Sequence, residues 1–587
     1  MKNWLLLSVS FFLFMQAQAR MIQYKVDVSM AHTRYAMVEM EVSGHKQSQL
    51  EVVMPVWIPG SYMVREFSKN VESFFAFDQQ GNELKTRKTT KNIWVVECGK
   101  NDPVTISYKV YGNEVSVRNT YLDEQGAFLN PSSLLMFITG MEQVSGYVTV
   151  VTPDSWKQVV SGLKSATHSQ NRFSFKNYDE LADCPIQAGN FDVLEFRVKD
   201  VPHYVALVGH SNVDKEKLEY DLHKLCNTTA EVIGKLDFDH YWFFVHHVDQ
   251  GGGGLEHRNS TAVVMPRYNY SNATQYEGFL RLCAHEYFHT WNVKRIRPIE
   301  LGPFDYSNEV YTQQLWVAEG ITTYYDKLLM YRAGFWDKKQ LLNHVAASIS
   351  YSENMPGAKV QSLAMASMDA WIKFYRPDEN SINSAISYYT KGAMAAAMLD
   401  LTLHNQTQGA KNLDDLLGNL YADFYEKKGR GFTEKEFIRA AQDIAGIPLQ
   451  SFFDTLIYST LSPNYNSFLN PAGYELVTTE KWDTYLGANV EYVQGETVVK
   501  SVIKDSPAFN AGLSKGDVIL AINKQVPIQD FKGFLQTFLA GAEVEISVKR
   551  GKQLLSYTVV LNSDPALGFS IQELETDTSN NMPSWPR

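Results

Sequence analysis

The chain has 587 residues and a formal net charge of −11 at pH 7, and this length allows three or four domains with ample core. Its hydrophobic content of 44% and aromatic content of 13% indicate a globular protein. The acidic balance excludes non-specific nucleic-acid binding, because that function needs a basic face.

Residues 1–19 have the composition of a secretory signal. Lys2 precedes a mostly apolar stretch at 4–15, and residues 17–19 form a small-x-small cleavage site. A buried first helix is the alternative. No later stretch approaches the ~20 uncharged apolar residues of a transmembrane helix. We therefore expect an exported protein, periplasmic or secreted, without a transmembrane segment.

Residues 20–205 alternate apolar and polar side chains at period two, as at 24–28 and 104–110. Turn signals separate these runs, so the pattern predicts an antiparallel β-domain. Within it, residues 62–66 are unusually rich in aromatic and charged types. We expect a solvent-exposed loop there, and a loop that reaches the active cleft is the alternative.

The pattern changes from residue 206 onward. Residues 218–236 have helical spacing, whereas 241–248 and 260–265 are apolar runs typical of buried strands. Residues 315–460 are again helical by spacing. A mixed sheet followed by helices is therefore expected in the middle of the chain.

Three polar side chains on one predicted helix indicate a metal site. His285 and His289 are four residues apart and project on nearly the same bearing, and Glu286 lies within about a third of a turn of both. Two helical imidazoles suit Zn²⁺ and leave positions for a third protein ligand and a water, as in catalytic sites. Glu286 would then be the general base. A polar stripe on an ordinary helix is the alternative.

Two further features favour the metal. Apolar flanking residues would bury the three polar groups, and a buried polar cluster without partners is costly. Glu319 lies thirty residues after His289 in the next helix-like stretch. It is the natural third ligand.

The motifs around these residues resemble a known family. HEYFHTWNVKRIRP at 285–298, LGPFDY at 301–306 and WVAEG at 316–320 are similar to the glycyl aminopeptidases, zinc metallopeptidases of the gluzincin clan that end in a PDZ domain. The resemblance begins at WIPGSY, residues 57–62, and covers nearly the whole mature chain. The long insert between His289 and Glu319 favours the glycyl branch of that clan.

The resemblance implies a multidomain α+β fold. A signal peptide at 1–19 would precede an N-terminal β-domain at 20–205 and a thermolysin-like zinc peptidase domain with a helical half at 206–465. A PDZ domain at 470–565 and a tail at 566–587 would follow. Within that tail, we expect polar residues 575–587 to fray.

The resemblance also implies substrate-binding and catalytic residues. In related aminopeptidases, a Gly-x-x-Glu segment lies along the substrate and its Glu binds the free amino terminus; Gly253, Gly254 and Glu256 match it here. A flexible glycine loop with a solvated Glu is the alternative. A Tyr-x-Lys-Gly run in those enzymes supplies a phenol to the oxyanion, which implies Tyr389, with Tyr388 as the second choice.

The string AGLSKGD at 511–517 is specific for a PDZ domain. Such domains bind extended peptides as an added strand, often by a carboxyl terminus held on loop amides, here those of Leu486 and Gly487. A domain that only docks on the peptidase is the alternative.

These expectations favour an aminopeptidase that holds one Zn²⁺ per chain and acts on peptides with a free amino terminus. The resemblance suggests amino-terminal Gly or Ala. Two rival functions stay open: a PDZ-containing peptide-binding protein with an inactive peptidase body, and a gluzincin endopeptidase. Serine and phosphate chemistry lack their motifs, because neither a Gly-x-Ser-x-Gly elbow nor a phosphate-binding loop is present.

Overall fold

The computed structural model describes residues 20–166, 171–527, 529–574 and 585–586. The predicted signal at 1–19 lies outside the described residues. The chain divides into two units, the first formed by residues 20–56 and 66–190 and the second by residues 57–65 and everything from 191 onward.

The first unit is a β-domain, as predicted. Its helices are α1 (Pro131–Leu134) and α2 (Tyr178–Ala182). Its strands are β1 (Met21–Asp27), β2 (Tyr35–Ser43), β3 (Gln49–Val53), β4 (Val71–Phe77), β5 (Thr86–Lys88), β6 (Ile93–Glu97), β7 (Val104–Tyr111), β8 (Tyr121–Leu122), β9 (Gly126–Leu129), β10 (Phe137–Ile138), β11 (Gly146–Val151), β12 (Gln158–Ser161), β13 (Lys164–Ser165), β14 (Arg172–Phe175) and β15 (Ile186–Gly189).

A seven-stranded sheet in the order β13-β14-β11-β1-β2-β7-β4 dominates this unit. Tyr24 pairs with Met40 and Val148, and Met40 pairs with Ile106, so these buried side chains form one apolar row across four strands. The period-two alternation produces this row, because successive side chains point to opposite faces. One detail differs from the antiparallel prediction: β1 and β11 are parallel.

The second unit begins with a mixed sheet in the order β16-β17-β18-β20-β19. The two inner pairings are parallel and the two outer ones antiparallel. The strands are β16 (Asp192–Val198), β17 (Val201–Val208), β18 (Tyr241–Val248), β19 (Gly253–Glu256) and β20 (Ser260–Pro266).

The predicted domain boundary at 205/206 falls inside β17, whereas the two units meet at 190/191. The hairpin of β16 and β17 has the same alternation as the β-domain, so its local pattern does not reveal that it pairs with β18.

Helices follow the sheet, as predicted. They are α3 (Lys215–Ile233), α4 (Ala273–Phe288), α5 (Ile321–Arg332), α6 (Lys338–Asn354), α7 (Leu363–Met368), α8 (Ser381–Ser384), α9 (Thr390–Gln406), α10 (Leu413–Leu420), α11 (Glu434–Ala445), α12 (Gln450–Leu456) and α13 (Asn466–Leu469). None of the helices described is both long and apolar enough to cross a membrane.

Residues 57–65 belong to the second unit, although the chain on both sides of them belongs to the first. Tyr62 is only 2% exposed, so the expectation of a solvent-exposed loop at 62–66 is wrong for this residue. Its ring lies 5.9 Å from that of Trp371 and 6.3 Å from that of Tyr375. Aromatic packing between residues more than 300 positions apart buries it, and no local pattern reports such packing.

The C-terminal β-domain has the five-stranded sheet β23-β24-β25-β26-β27 and two smaller pairs, β22·β28 and β21·β29. Its helices are α14 (Pro507–Ala511) and α15 (Phe531–Leu535). Its strands are β21 (Tyr474–Glu480), β22 (Thr484–Tyr485), β23 (Ala488–Val493), β24 (Glu496–Val502), β25 (Val518–Ile522), β26 (Glu543–Arg550), β27 (Gln553–Val560), β28 (Asn562–Ser563) and β29 (Leu567–Glu573).

The predicted tail at 566–587 needs two corrections. Residues 567–573 form β29, which is antiparallel to β21. Trp585 does not fray: it is 1% exposed, and its indole N–H donates to Oδ2 of Asp400 at 2.8 Å. Residues 575–584 and 587 lie outside the described residues.

Candidate metal centre

Two consecutive helical segments carry the predicted ligands. Helix α4 begins at Asn272, whose side chain accepts the amide hydrogen of Gln275, and it carries His285 and Glu286 in its last turn. His289 caps its C-terminal end. Glu319 lies in a π-helix, Trp316–Gly320, that continues into α5. Such wide turns are frequent at functional sites.

The structure brings the three predicted ligands together. Oε2 of Glu319 lies 3.4 Å from Nε2 of His285 and 3.3 Å from Nε2 of His289. These separations are longer than usual hydrogen bonds, and they match the about 3.4 Å between neighbouring ligand atoms of a tetrahedral zinc ion bound at ~2.1 Å. Oε2 of Glu319 is buried and accepts no hydrogen bond from the residues that the structure describes. A metal ion would satisfy this atom, so the ligand set fits zinc.

The electrostatics of this cluster also suit a cation. Burial alone would raise the pKa of Glu319, but the imidazoles of His289 and His285 hold it at about 2. Burial would lower the pKa of His285, but the carboxylates of Asp326 and Glu319 raise it to about 10. With both imidazoles neutral, this cluster of carboxylates carries a net negative charge. A proton or a metal ion would balance that charge.

Two groups that the sequence analysis did not identify orient the histidines. Nδ1 of His285 donates to Oδ2 of Asp326 at 3.1 Å, and Nδ1 of His289 donates to the carbonyl oxygen of Asn292 at 2.7 Å. Carboxylate and carbonyl oxygens only accept, so each Nε2 keeps its lone pair towards the metal position. Asp326 follows Glu319 by seven residues, about two helical turns, and this spacing could have indicated it.

The predicted base lies beside the ligands. Glu286 is buried, and burial raises the pKa of its carboxyl to about 7, near the value that suits a general base. The edge strand β19 lies directly against it, because a Cβ added to Gly254 would be 2.2 Å from Oε1 of Glu286. Gly253 has a φ of +121°, which other residues rarely adopt. Gly254 therefore allows the close approach of this strand, and Gly253 allows its backbone conformation.

Glu256 ends β19 and is buried, not solvated. Its carboxylate, that of Glu286 and a ring nitrogen of His289 lie within 4.8 Å of one another. Oε1 of Glu256 accepts no hydrogen bond within the described residues, and Nζ of Lys294 lies 4.0 Å from it. This carboxylate can pair with a substrate cation next to the metal position.

Tyr389 immediately precedes α9 and its ring stacks 6.1 Å from that of His285. Burial raises the pKa of Tyr389 and the charge of Glu319 raises it further, so the phenol stays a proton donor. The second choice, Tyr388, is fully buried and packs on Phe374 at 4.8 Å. Of the two, Tyr389 is the one whose ring stacks on a predicted metal ligand.

Leu486 and Gly487 line a groove of about 470 Å³ in the C-terminal domain. Strand β23, at the edge of its sheet, and helix α15 contribute residues to its walls. The carbonyl oxygen of Gly487 accepts the amide hydrogen of Ile503 at 2.8 Å, which holds the loop before β23. An extended peptide could add to this edge strand.

The class of protein is a metallopeptidase, because a mixed sheet is followed by a helix with two histidines and by a carboxylate, the third ligand, on the next ligand-bearing helical segment. Family comparisons agree, because the M61 glycyl aminopeptidase family matches residues 278–395, its N-terminal domain matches 23–190, and a PDZ domain matches 484–561. The aminopeptidase N family protein from Idiomarina loihiensis superposes with a TM-score of 0.88 and 30% identity, over 94% of this chain and 98% of that one. The chain belongs to the M61 glycyl aminopeptidase family.

Two further solved structures match the chain at lower scores. An M1 zinc metallopeptidase from Deinococcus radiodurans has a TM-score of 0.47 at 12% identity, over 76% of this chain and 96% of its own. Yeast LTA4 hydrolase has the same score at 14% identity, over 76% and 69%. These values are too low to indicate a shared activity. No curated protein matches the chain in sequence.

Proposed function

We propose that this protein is an exported zinc aminopeptidase that removes small amino-terminal residues, Gly or Ala, from peptides. The observation that carries the proposal is that His285, His289 and Glu319 converge at ligand-like separations, and that Oε2 of Glu319 is buried and accepts no hydrogen bond from any described residue. A divalent ion satisfies all three groups at once. The preference for Gly or Ala is supported only by the family to which the chain belongs.

His285, His289 and Glu319 would hold one zinc ion, which when bound supplies a Lewis acid that acidifies water and polarises a carbonyl group. Glu286 accepts the proton of the attacking water and then transfers it to the nitrogen of the leaving amine. The phenol of Tyr389 donates a hydrogen bond to the oxygen on which negative charge develops.

Glu256 explains why the enzyme would act at a chain end. Its buried carboxylate lies within 4.8 Å of the catalytic carboxylate and of His289. A free ammonium group paired there fixes the first peptide bond of the substrate beside the base. A blocked amino terminus carries no positive charge, so it cannot form this ion pair and would not be held beside the base.

The PDZ domain would bind an extended peptide in the groove beside β23, with its carboxyl terminus at the amides of Leu486 and Gly487. Export would follow from the signal-like residues 1–19. Amino-terminal sequencing of the mature protein tests whether residues 1–19 are removed. Binding titrations of the protein with one peptide, carrying either a free or an amidated carboxyl terminus, test the PDZ groove.

Matched peptide reporters test the aminopeptidase function. We expect Gly- and Ala-amide reporters to be cleaved, a chelator to stop cleavage and zinc to restore it. Acetylation of the amino terminus should abolish turnover. Undiminished cleavage of the acetylated reporter would instead support an endopeptidase, and peptide binding without any cleavage would support an inactive PDZ receptor.

A further inference from the structure

Nine residues of the chain leave the β-domain to pack in the peptidase unit: Trp57–Arg65. The indole ring of Trp57 lies 5.2 Å from that of Trp371, and its N–H donates to the carbonyl oxygen of Asp305 at 2.7 Å. Tyr62 packs on the same Trp371. These contacts fix the segment in the unit that holds the metal centre.

Gly60 lies against the carboxylate that would bind the substrate amino group. A Cβ added to Gly60 would be 2.5 Å from Oε1 and 2.6 Å from Oε2 of Glu256, closer than real Cβ atoms come to other atoms. The phenol of Tyr375 donates to the carbonyl oxygen of Gly60 at 3.3 Å and so holds this backbone in place. The backbone of Gly60 therefore closes one side of the Glu256 carboxylate.

Tyr62 packs beside Tyr375, the residue that holds the backbone of Gly60. Its ring is 6.3 Å from that of Tyr375. Burial raises the pKa of Tyr62, and the negative charges of Glu319 and Glu256 raise it further. In a bound peptide, the first α-carbon is bonded to the amino nitrogen and to the scissile carbonyl carbon. With the amino nitrogen at Glu256, its side chain therefore starts beside the carboxylate that the backbone of Gly60 closes on one side.

We propose that Gly60, Tyr62 and Tyr375 form the wall of the subsite for the first residue of the substrate and exclude side chains larger than a methyl group. This inference rests on the proposed aminopeptidase function. The wall is rigid because each of its members is held by packing or by a hydrogen bond from the helical half. It also leaves no room for a residue ahead of the amino terminus, because even a Cβ does not fit between Gly60 and Glu256.

The test measures kcat/KM for Gly-, Ala- and Leu-amide reporters with the same leaving group. The parent should favour Gly and Ala over Leu. Tyr62→Val should raise the Leu/Gly ratio by at least about tenfold, because each methylene admitted to an apolar pocket is worth 10-fold or more. Free leucine should also become a better competitive inhibitor of Gly-amide cleavage.

A second variant guards against a folding defect, because Tyr62 is buried. Tyr375 is partly exposed, so Tyr375→Ala should fold and should raise the same ratio. Tyr311→Ala is the control: Tyr311 contacts Trp371 at the outer end of the same aromatic cluster and is 51% exposed. Tyr311→Ala should have the same Leu/Gly ratio of kcat/KM as the parent. Thermal unfolding of each variant shows that it is folded.

Two results would contradict the proposed wall without contradicting the proposed aminopeptidase function. One is a parent enzyme that cleaves Leu-amide as efficiently as Gly-amide. The other is an unchanged Leu/Gly ratio in whichever of the Tyr62→Val and Tyr375→Ala variants are folded. If the zinc-loaded parent cleaves none of the three reporters, both the proposed function and the wall are wrong.

Discussion

Asp326 accepts the Nδ1 hydrogen of His285 at 3.1 Å, and this bond fixes which nitrogen of the ring faces the metal position. The carboxylate is itself buried between Arg281 and Lys327, each 3.4 Å from it. Burial would raise the pKa of Asp326, but Lys327, Arg281 and His285 hold it well below its usual range. Asp326 is therefore a permanent anion behind one ligand.

Replacement of Asp326 should weaken metal binding without removing a ligand. We expect Asp326→Asn to lower zinc affinity 10- to 100-fold, because partners behind a ligand histidine contribute this much. Competition with a chromophoric chelator measures the affinity. Asp443→Asn is the control, since Asp443 is an exposed carboxylate on α11. Equal affinities in the parent and Asp326→Asn would show that this bond does not support the site.

Gly60→Ala should reduce activity on every reporter. The added Cβ would displace the carboxylate of Glu256, and we expect kcat/KM to fall at least about tenfold through loss of substrate positioning. Gly81→Ala separates this effect from backbone strain. Gly60 and Gly81 have φ values of +89° and +83°, but a Cβ on Gly81 meets nothing within 4 Å. Similar activity losses in the two variants would argue against the contact with Glu256.

A buried histidine should make the peptidase unit sensitive to acid. His203 donates from Nδ1 to the carbonyl oxygen of Val201 and accepts at Nε2 from the phenol of Tyr287. Burial lowers the pKa of His203 to about 4. The unfolded chain therefore binds this proton below pH 6.5, while the folded chain does so only below about pH 4.

Because its pKa is lower in the folded than in the unfolded chain, His203 should lower the free energy of unfolding in acid. Above pH 6.5 His203 is neutral in both states and adds no pH dependence; as the pH falls from 6.5 to 4, the free energy of unfolding should decrease by at most about 3 kcal/mol. Urea unfolding of the parent and of His203→Gln at pH 4–8 measures the effect. The variant should have the shallower pH dependence, and parallel curves would contradict the assignment.

The buried end of the chain should contribute strongly to stability. Trp585 donates to Asp400, and its carbonyl oxygen accepts the hydrogen of the Tyr474 phenol at 2.6 Å. Trp585→Ala should cost about 3–5 kcal/mol, because it opens a cavity and removes a partner of a buried carboxylate. Trp482→Ala is the matched control, since Trp482 is 77% exposed and its loss should change stability little. Equal unfolding midpoints for the two variants would refute this role.

Residue types and their spacing predict the features that depend only on residues close together in the chain. The period-two runs predict the β-domain, and the four-residue spacing of His285 and His289 places both imidazoles on one side of α4. The third ligand, Glu319, follows from its residue type and its place in the next helix. These features need no knowledge of how distant segments meet.

Features that depend on distant packing are not visible in the sequence. Tyr62 is buried against Trp371 and Tyr375, and Trp585 against Asp400 and Tyr474. Likewise, β16 and β17 join the peptidase sheet through pairing with β18, although their alternation is that of the preceding domain. In each case the deciding contact joins residues whose local patterns are ordinary.

Zinc content and turnover of Glu286→Gln, measured together, test the central claim most directly. Glutamine keeps the shape of the side chain but cannot accept the proton of the attacking water. The proposed mechanism predicts one zinc ion per chain in parent and variant alike, and a loss of Gly-amide cleavage of at least about 10²-fold in the variant. A variant that cleaves at the parent rate, or a metal-free parent with full activity, would contradict it.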